Sequence, residues 1–216
     1  MSSIVKPFIF NPVQENTYLL IDEATKKAVI IDPGCMDRSE FQTMDRVLEQ
    51  YDATPVALVL THLHFDHIWG VPYVVEKYGL QPQAHPQEID FMPSFNEQVR
   101  LFMLPEDQAR KDPGYAPILP GEEIVFGESR LKVLFVPGHS IAHIAFYNES
   151  DHYVVSGDAL FRMGIGRTDL PGGNYDRLIQ SITTQLYTLP EETVVYSGHG
   201  PMTTIGFEKY NNPYTV

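Results

Sequence analysis

Apolar positions along the chain fall into two kinds of run. Residues 17–22 (TYLLID) and 27–34 (KAVIIDPG) are short apolar runs on either side of a polar turn, which predicts a pair of strands. Residues 55–60 (PVALVL) contain no polar side chain and predict a strand buried on both faces. In 39–51 (SEFQTMDRVLEQY), by contrast, Phe41, Met44, Val47 and Leu48 recur at helical spacing. A second helix is predicted over 71–79, closed by Gly79, and a third over 86–104, carrying Ile89, Phe91, Met92, Phe95, Val99, Phe102 and Met103. Residues 105–121 hold Pro105, Pro113, Pro117 and Pro120 and predict a long loop of the kind that covers a functional site. Beyond it, 122–127, 131–136, 143–147, 152–157 and 193–198 predict strands, with a helix across 175–189. Strands lead and helices intersperse, so the expectation is one α/β domain spanning residues 1–216.

Composition narrows the class. A chain of 216 residues suits one domain with a sizeable core, and 43% hydrophobic with 20% charged residues is ordinary for a soluble globular enzyme. The formal net charge of −13, with no Lys/Arg run to override it, argues against a nucleic-acid partner. Cys35 is the only cysteine, so no internal disulfide can form. The opening MSSIVKPFIFNP has a three-residue apolar run ended by Asn11 and Pro12, too short for a signal peptide. No stretch approaches the roughly 18 apolar residues of a membrane span. A reducing, cytoplasmic setting without membrane or nucleic-acid partners is expected.

The chemistry is concentrated where strands end. VALVLTHLHFDH ends in His62, His64, Asp66 and His67, LKVLFVPGH in His139, HYVVSGD in Asp158, and TVVYSGH in His199. Glycines 138, 157 and 198 directly precede the last three and let the backbone turn sharply or approach closely. His62 and His64 are two apart and point the same way in an extended segment, whereas Asp66 and His67 need a turn to converge. Seven candidates exceed the roughly four ligands one zinc ion takes, and a two-metal site with a shared carboxylate accommodates them all. Imidazole and carboxylate without thiolate suit zinc, iron, manganese or a mixture.

THLHFDH, with His139 in PGH, Asp158 in SGD and His199 in GHG, resembles the metallo-β-lactamase superfamily. Within it the chain resembles the glyoxalase II group, the hydroxyacylglutathione hydrolases, in the short bacterial form without a C-terminal helical domain. The resemblance implies a four-layer αββα sandwich with two divalent metal ions, zinc in the first instance. His62, His64 and His139 would hold one ion and Asp66, His67 and His199 the other, with Asp158 and a hydroxide bridging. Asp66 and Asp158 are then the candidate catalytic carboxylates, and the substrate a small-molecule thioester. Longer glyoxalase II enzymes bind glutathione partly through a lysine and a tyrosine after the bridging-aspartate strand. This chain has GIGRTDLPGG there, with Arg167 where the lysine would fall and no matching tyrosine. GRTD also resembles the persulfide dioxygenases, which hold a single iron with two histidines and one aspartate, whereas GHGPMTTIGFEKYNNP at 198–213 resembles the short hydrolases.

Other residues carry competing readings. His143 reads as hydrogen-bonded support, and His85 and His152 as ordinary polar residues. Cys35 has no base placed beside it and reads as a packed thiol. Asp32 in IIDPG is either an acceptor orienting a ligand imidazole or a turn-forming aspartate. Arg167 either meets a substrate carboxylate or forms a surface ion pair. Phe91, Phe95, Phe102 and Tyr115 can wall an acyl pocket but at helical spacing are more often core.

Overall fold

A computed structural model describes residues 2–102 and 113–215. The first sheet takes its strands in chain order: β1 (Ser3–Phe10), β2 (Glu15–Asp22), β3 (Lys27–Ile31), β4 (Thr54–Val59), β5 (Pro82–Ala84) and β6 (Ala116–Pro117). β1 to β3 are antiparallel neighbours, and β3 to β6 are parallel. The parallel crossovers carry α1 (Arg38–Tyr51), α2 (Phe65–Ile68), α3 (Val71–Tyr78), α4 (Pro86–Phe91) and α5 (Phe95–Leu101). The second sheet comprises β7 (Glu123–Phe126), β8 (Ser129–Phe135), β9 (Ile144–Asn148) and β10 (Tyr153–Gly157), then β13 (Val194–Ser197) and β14 (Thr203–Thr204), in the order β14-β13-β10-β9-β8-β7. A small hairpin, β11 (Leu160–Phe161) with β12 (Gly164–Ile165), leaves the end of β10. Two more helices, α6 (Tyr175–Ser181) and α7 (Ile205–Asn211), complete the described elements.

Side-chain alternation sorts these elements into four layers. Tyr18, Leu20, Val29, Ile31 and Val59 of the first sheet meet Leu131, Val133, Ile144, Phe146 and Val155 of the second in the middle core. The intervening Leu19, Ile21, Ala28, Ile30 and Leu58 face Met44, Leu48, Val71, Val74 and Val99 of the helices. On the far side Ala145, Tyr147, Val154 and Val195 pack on Leu178, Ile182, Leu186 and Ile205. A strand covered on both faces cannot alternate apolar with polar, which is why 17–22 and 27–31 read as continuous apolar runs. The αββα sandwich expected from the sequence is therefore present.

Several elements differ from the expectation for local reasons. β1 was hidden by Lys6 and Pro7, which an edge strand tolerates because one side of its backbone faces no partner. The helix expected over 86–104 is two helices, broken at Pro93, whose ring cannot supply the N–H a continuing helix needs. Ser94 restarts it with a capping box to Glu97. Met103 of that helix and residues 105–112 of the expected loop lie outside the described residues; the remainder of the loop contributes β6, with Pro117 at the sheet edge. The helix expected over 175–189 changes at Ile182 into a π-helical turn reaching Leu186. None of the described helices is long and apolar enough to cross a membrane.

Candidate metal centre

Each strand named in the sequence runs out at the same edge of the sandwich. β4 ends at Val59 and leads into His62 and His64; α2 then turns the chain so that Asp66 and His67 face back toward them. This single helical turn is the one Asp66 and His67 needed in order to converge. β8 delivers His139, β10 ends one residue before Asp158, and β13 ends two before His199. Gly157 sits at φ +49°, a left-handed turn at which glycine pays no steric penalty, and a Cβ there would lie 2.5 Å from Thr61 Oγ1. Gly198 is needed for space: its Cβ would lie 2.1 Å from Asp158 Oδ1 and 2.7 Å from His67 Cε1.

All seven candidate residues are brought together, in two sets. His139 Nε2 lies 3.2 Å from His62 Nε2 and 2.9 Å from His64 Nδ1. Asp66 Oδ2 lies 3.2 Å from His199 Nε2 and 3.7 Å from His67 Nε2. Asp158 stands between them, with Oδ1 3.4 Å from His67 Nε2 and Oδ2 3.6 Å from His139 Nε2 and 3.7 Å from His199 Nε2. The donors fit cations. Tetrahedral ligation at Zn–N distances of about 2.0–2.1 Å spaces ligand nitrogens roughly 3.3 Å apart. Moreover, His67 Nε2 and Asp158 Oδ1 are buried with no hydrogen-bond partner among the described residues, an arrangement that a shared cation relieves.

The outward ring nitrogens are held by acceptors that aim the inward ones. Asp32 accepts from Thr61 N–H at 2.7 Å, from the Thr61 hydroxyl at 2.6 Å and from His67 Nδ1–H at 3.0 Å. Thr61 Oγ1 in turn lies 3.0 Å from His62 Nδ1. Asp32, at φ +48°, is thus both the turn residue and the orienting acceptor that the sequence left as alternatives. It also lies within 4.8 Å of the ring nitrogens of His62 and His67, but its carboxylate is already occupied. His139 Nδ1–H donates to the Arg167 carbonyl at 2.8 Å and His199 Nδ1–H to the Gln14 carbonyl at 3.2 Å. His143 supports rather than faces the site: its Nε2 accepts from the Asp158 N–H at 3.0 Å.

Burial and charge divide the two sets electrostatically. Burial, reinforced by neighbouring imidazoles, holds His62 well below the usual imidazole range and pushes His64 down to about 3. Burial also lowers His139, against the pull of Asp158. In the other set burial is outweighed: Asp158 and Asp66 raise His67, and the hydrogen bond to Asp66 followed by the charge of Asp158 raises His199. Burial likewise works against Asp158, but His67 foremost, then His139 and His199, hold it far below the usual carboxylate range. Burial thus disfavours protonation of one set of imidazoles, while neighbouring carboxylates favour it in the other.

The cluster floors a cavity of about 500 Å³ whose apolar wall comprises Val13, Phe65, Phe102, Phe161, Ile165 and Leu170. Of the four aromatics considered in the sequence, Phe102 alone lines this cavity; Phe95 is core, Phe91 is exposed, and Tyr115 borders a separate smaller one. Arg167 stands at the rim, but its guanidinium is engaged in a two-pronged pair with Asp169, both bonds 2.7 Å. Its side chain thus forms a surface ion pair, while its backbone serves His139. Cys35 is buried against Gly70 and contributes nothing to the cavity lining. His85 caps α4 and His152 occupies a left-handed turn.

Two buried carboxylates beside the ligands, Glu88 and Glu15, belong to none of the sequence motifs. Glu88 accepts from the Ser140 hydroxyl at 2.6 Å, the Ala142 N–H at 2.8 Å and the Leu63 N–H at 3.3 Å, tying the His62–His64 segment to the His139 loop. Glu15 Oε1 is buried 3.9 Å from His67 Nδ1 without a hydrogen-bond partner, and burial pushes its carboxyl well above the usual range. Glu15 opens β2 ahead of two further polar residues, Asn16 and Thr17, and Glu88 lies in a polar helical stretch, so neither stood out.

Comparison with known proteins adds to the geometry. The family model of the Metallo-beta-lactamase superfamily matches residues 10–199. A Bacillus subtilis protein named "Probable metallo-hydrolase YqgX" is 38% identical over 210 residues, covering 94% of this chain and 93% of its own. The Haemophilus influenzae hydroxyacylglutathione hydrolase GloC is 35% identical, over 93% of this chain and 92% of its own. Among solved structures, the BLEG-1 B3 metallo-beta-lactamase superposes with a TM-score of 0.87 at 35% identity, over 99% of this chain and 100% of that one. TTHA1623 in a di-iron-bound form gives 0.82 at 37% identity, over 97% and 100%. ETHE1 from Myxococcus xanthus gives 0.78 at 29%, over 97% and 83%.

Proposed function

The chain belongs to the metallo-beta-lactamase superfamily, and from that premise we propose that it is a binuclear metal-dependent hydrolase of small thioesters, hydroxyacyl-glutathione foremost. The observation that carries this reading is the convergence of two three-residue ligand sets on Asp158 at the floor of an apolar-walled cavity. His62, His64 and His139 would hold one divalent ion, and Asp66, His67 and His199 the other. Bound there, such ions would supply a water of lowered pKa as nucleophile and would polarise the carbonyl oxygen under attack. Among the described residues that line the cavity there is no serine, threonine, cysteine or lysine to act as a nucleophile. The chain's residues do three things: Asp158 joins the two sets, Asp32 and the Arg167 and Gln14 carbonyls fix the ring orientations, and the apolar wall shelters the acyl group from solvent. Similarity to GloC supports a glutathione thioester. A single cysteine, Cys35, is compatible with a reducing, cytoplasmic setting.

A mononuclear-iron persulfide dioxygenase is the second reading, favoured by GRTD, whose Gly166–Arg167 backbone packs directly on His139. Similarity to the BLEG-1 structure adds a β-lactam to the substrates worth testing. Protein loaded with zinc, and separately with iron, is incubated with S-lactoylglutathione, with glutathione persulfide in an oxygen-electrode cell, and with a β-lactam. Loss of thioester without oxygen uptake is expected. Oxygen consumption with persulfide, requiring iron and not restored by zinc, would establish the dioxygenase instead, and lactam opening alone would move the substrate class.

The two sets should also part on acidification. Protons compete with metal for ligand lone pairs. His67 and His199 are raised, so they bind protons already as pH falls from neutral, whereas His62, His64 and His139 are lowered and stay free of them. Metal content measured between neutral pH and about pH 5 is expected to fall from two ions toward one. A His199→Ala protein, lacking the second set, should show no loss over that range. Simultaneous release of both ions would contradict the assignment.

A further inference from the structure

His199 is the least protected of the candidate ligands. Its side chain is 27% exposed, whereas those of His67, His139, Asp66 and Asp158 are 11% exposed or less. It also lies beyond the end of β13, whose last tie to its own sheet is the Gly198 N–H donating to the Gly157 carbonyl at 2.8 Å. Further bonds on this turn come from the opposite sheet. Asn16, buried in β2, donates from its backbone N–H to the Gly198 carbonyl at 2.7 Å. Its side-chain amide donates to the Ser197 carbonyl at 2.9 Å and to the Gly200 carbonyl at 2.8 Å. Those carbonyls straddle His199, and the Tyr18 hydroxyl donates to the Ser197 carbonyl as well, at 2.6 Å. Neither donor of the Asn16 side chain reaches the segments that carry His62, His64 or His139.

We propose that Asn16 is a positioning residue for one ion only: its amide clamps the 197–200 turn across the seam between the sheets and so fixes the affinity of the Asp66, His67 and His199 set, without bearing on the other. The inference rests on the two-ion reading above. A planar amide suits the task because two N–H donors on one nitrogen diverge, and each can take one of two carbonyls that flank a single residue. Alanine removes both donors, so the Ser197 carbonyl keeps only the Tyr18 hydroxyl and the exposed Gly200 loses its tie to β2; the turn then gains freedom.

The test is a zinc titration, with metal counted per chain and affinities read by competition with a chelator. Wild-type protein should bind two ions. Asn16→Ala should bind the first unchanged and the second roughly 10- to 100-fold more weakly, the range found when partners that orient a ligand are removed. Tyr18→Phe, which removes one bond to the same turn, should shift the second ion in the same direction by less, and it serves if Asn16→Ala does not fold. Leu48→Ala, on the buried face of α1, should lower the melting temperature and leave both affinities alone, which separates positioning from general loosening. Equal weakening of both ions in Asn16→Ala, or two unchanged affinities, overturns the role of Asn16. A wild-type protein that takes a single ion overturns the two-ion reading instead, and shows it without any substitution.

Discussion

Asp158→Ala is expected to abolish turnover and to strip metal from both ligand sets. The carboxylate is buried, its Oδ1 has no hydrogen-bond partner, and its oxygens lie 3.4 to 3.7 Å from His67, His139 and His199. Held ionised by those imidazoles, it is the one negative charge shared by both halves of the site. Its removal leaves His199 with Asp66 alone and His67 with Asp32 and Asp66, so a second cation would meet less negative charge and fewer donors. The loss should exceed the roughly 100-fold at which removal of outer partners stops. The fold should survive, because the bond that anchors this turn to His143 comes from the backbone N–H of residue 158 and not from its side chain. Steady-state kinetics, elemental analysis and circular dichroism on one preparation decide it. Full metal content with turnover within tenfold of wild type would sink the bridging role.

Gly198→Ala is expected to be nearly as damaging, for a steric reason. The added methyl would sit 2.1 Å from Asp158 Oδ1 and 2.7 Å from His67 Cε1, and neither atom can retreat without breaking its contacts with the rest of the site. Overpacking of a close-packed interior typically costs about 1–3 kcal/mol, and here the displacement falls directly on two ligands. Turnover should drop by about two orders of magnitude, equivalent to roughly 2.7 kcal/mol of barrier. Gly79→Ala makes the contrast. Nothing lies within 4 Å of its Cβ, but φ is +67°, so it should cost about 1–2 kcal/mol of stability through left-handed backbone alone and leave turnover and metal content intact. If the two variants behaved alike, the Gly198 effect would be one of folding rather than of the site.

The layers and the ligand positions were legible because both are local. Whether a residue of β2 or β3 faces helices or the other sheet follows from a period of two, and an apolar strand that ends in His, Asp or His shows its ligand in the same short window. Pro93 was visible too, and its effect on the helix over 86–104 could have been read from the missing N–H alone. β1 was obscured because Pro7 is acceptable only at an edge, and which strand becomes the edge is a property of the assembled sheet.

Everything that orients the ligands was decided by tertiary structure. Asp32 reaches Thr61 and His67 across 29 and 35 residues, Glu88 reaches Ser140 across 52, and Asn16 reaches Ser197 across 181. Arg167, expected from the sequence to meet a substrate carboxylate, pairs in the fold with Asp169 two residues away. Hydrophobic burial carries a periodic signature because every residue on a buried face obeys it. A buried polar group needs only a partner, and any acceptor or donor that the fold brings within reach will serve. The amino-acid pattern thus determined which side chains arrive at the edge of the sandwich, and the packing of the two sheets determined which way each of them points.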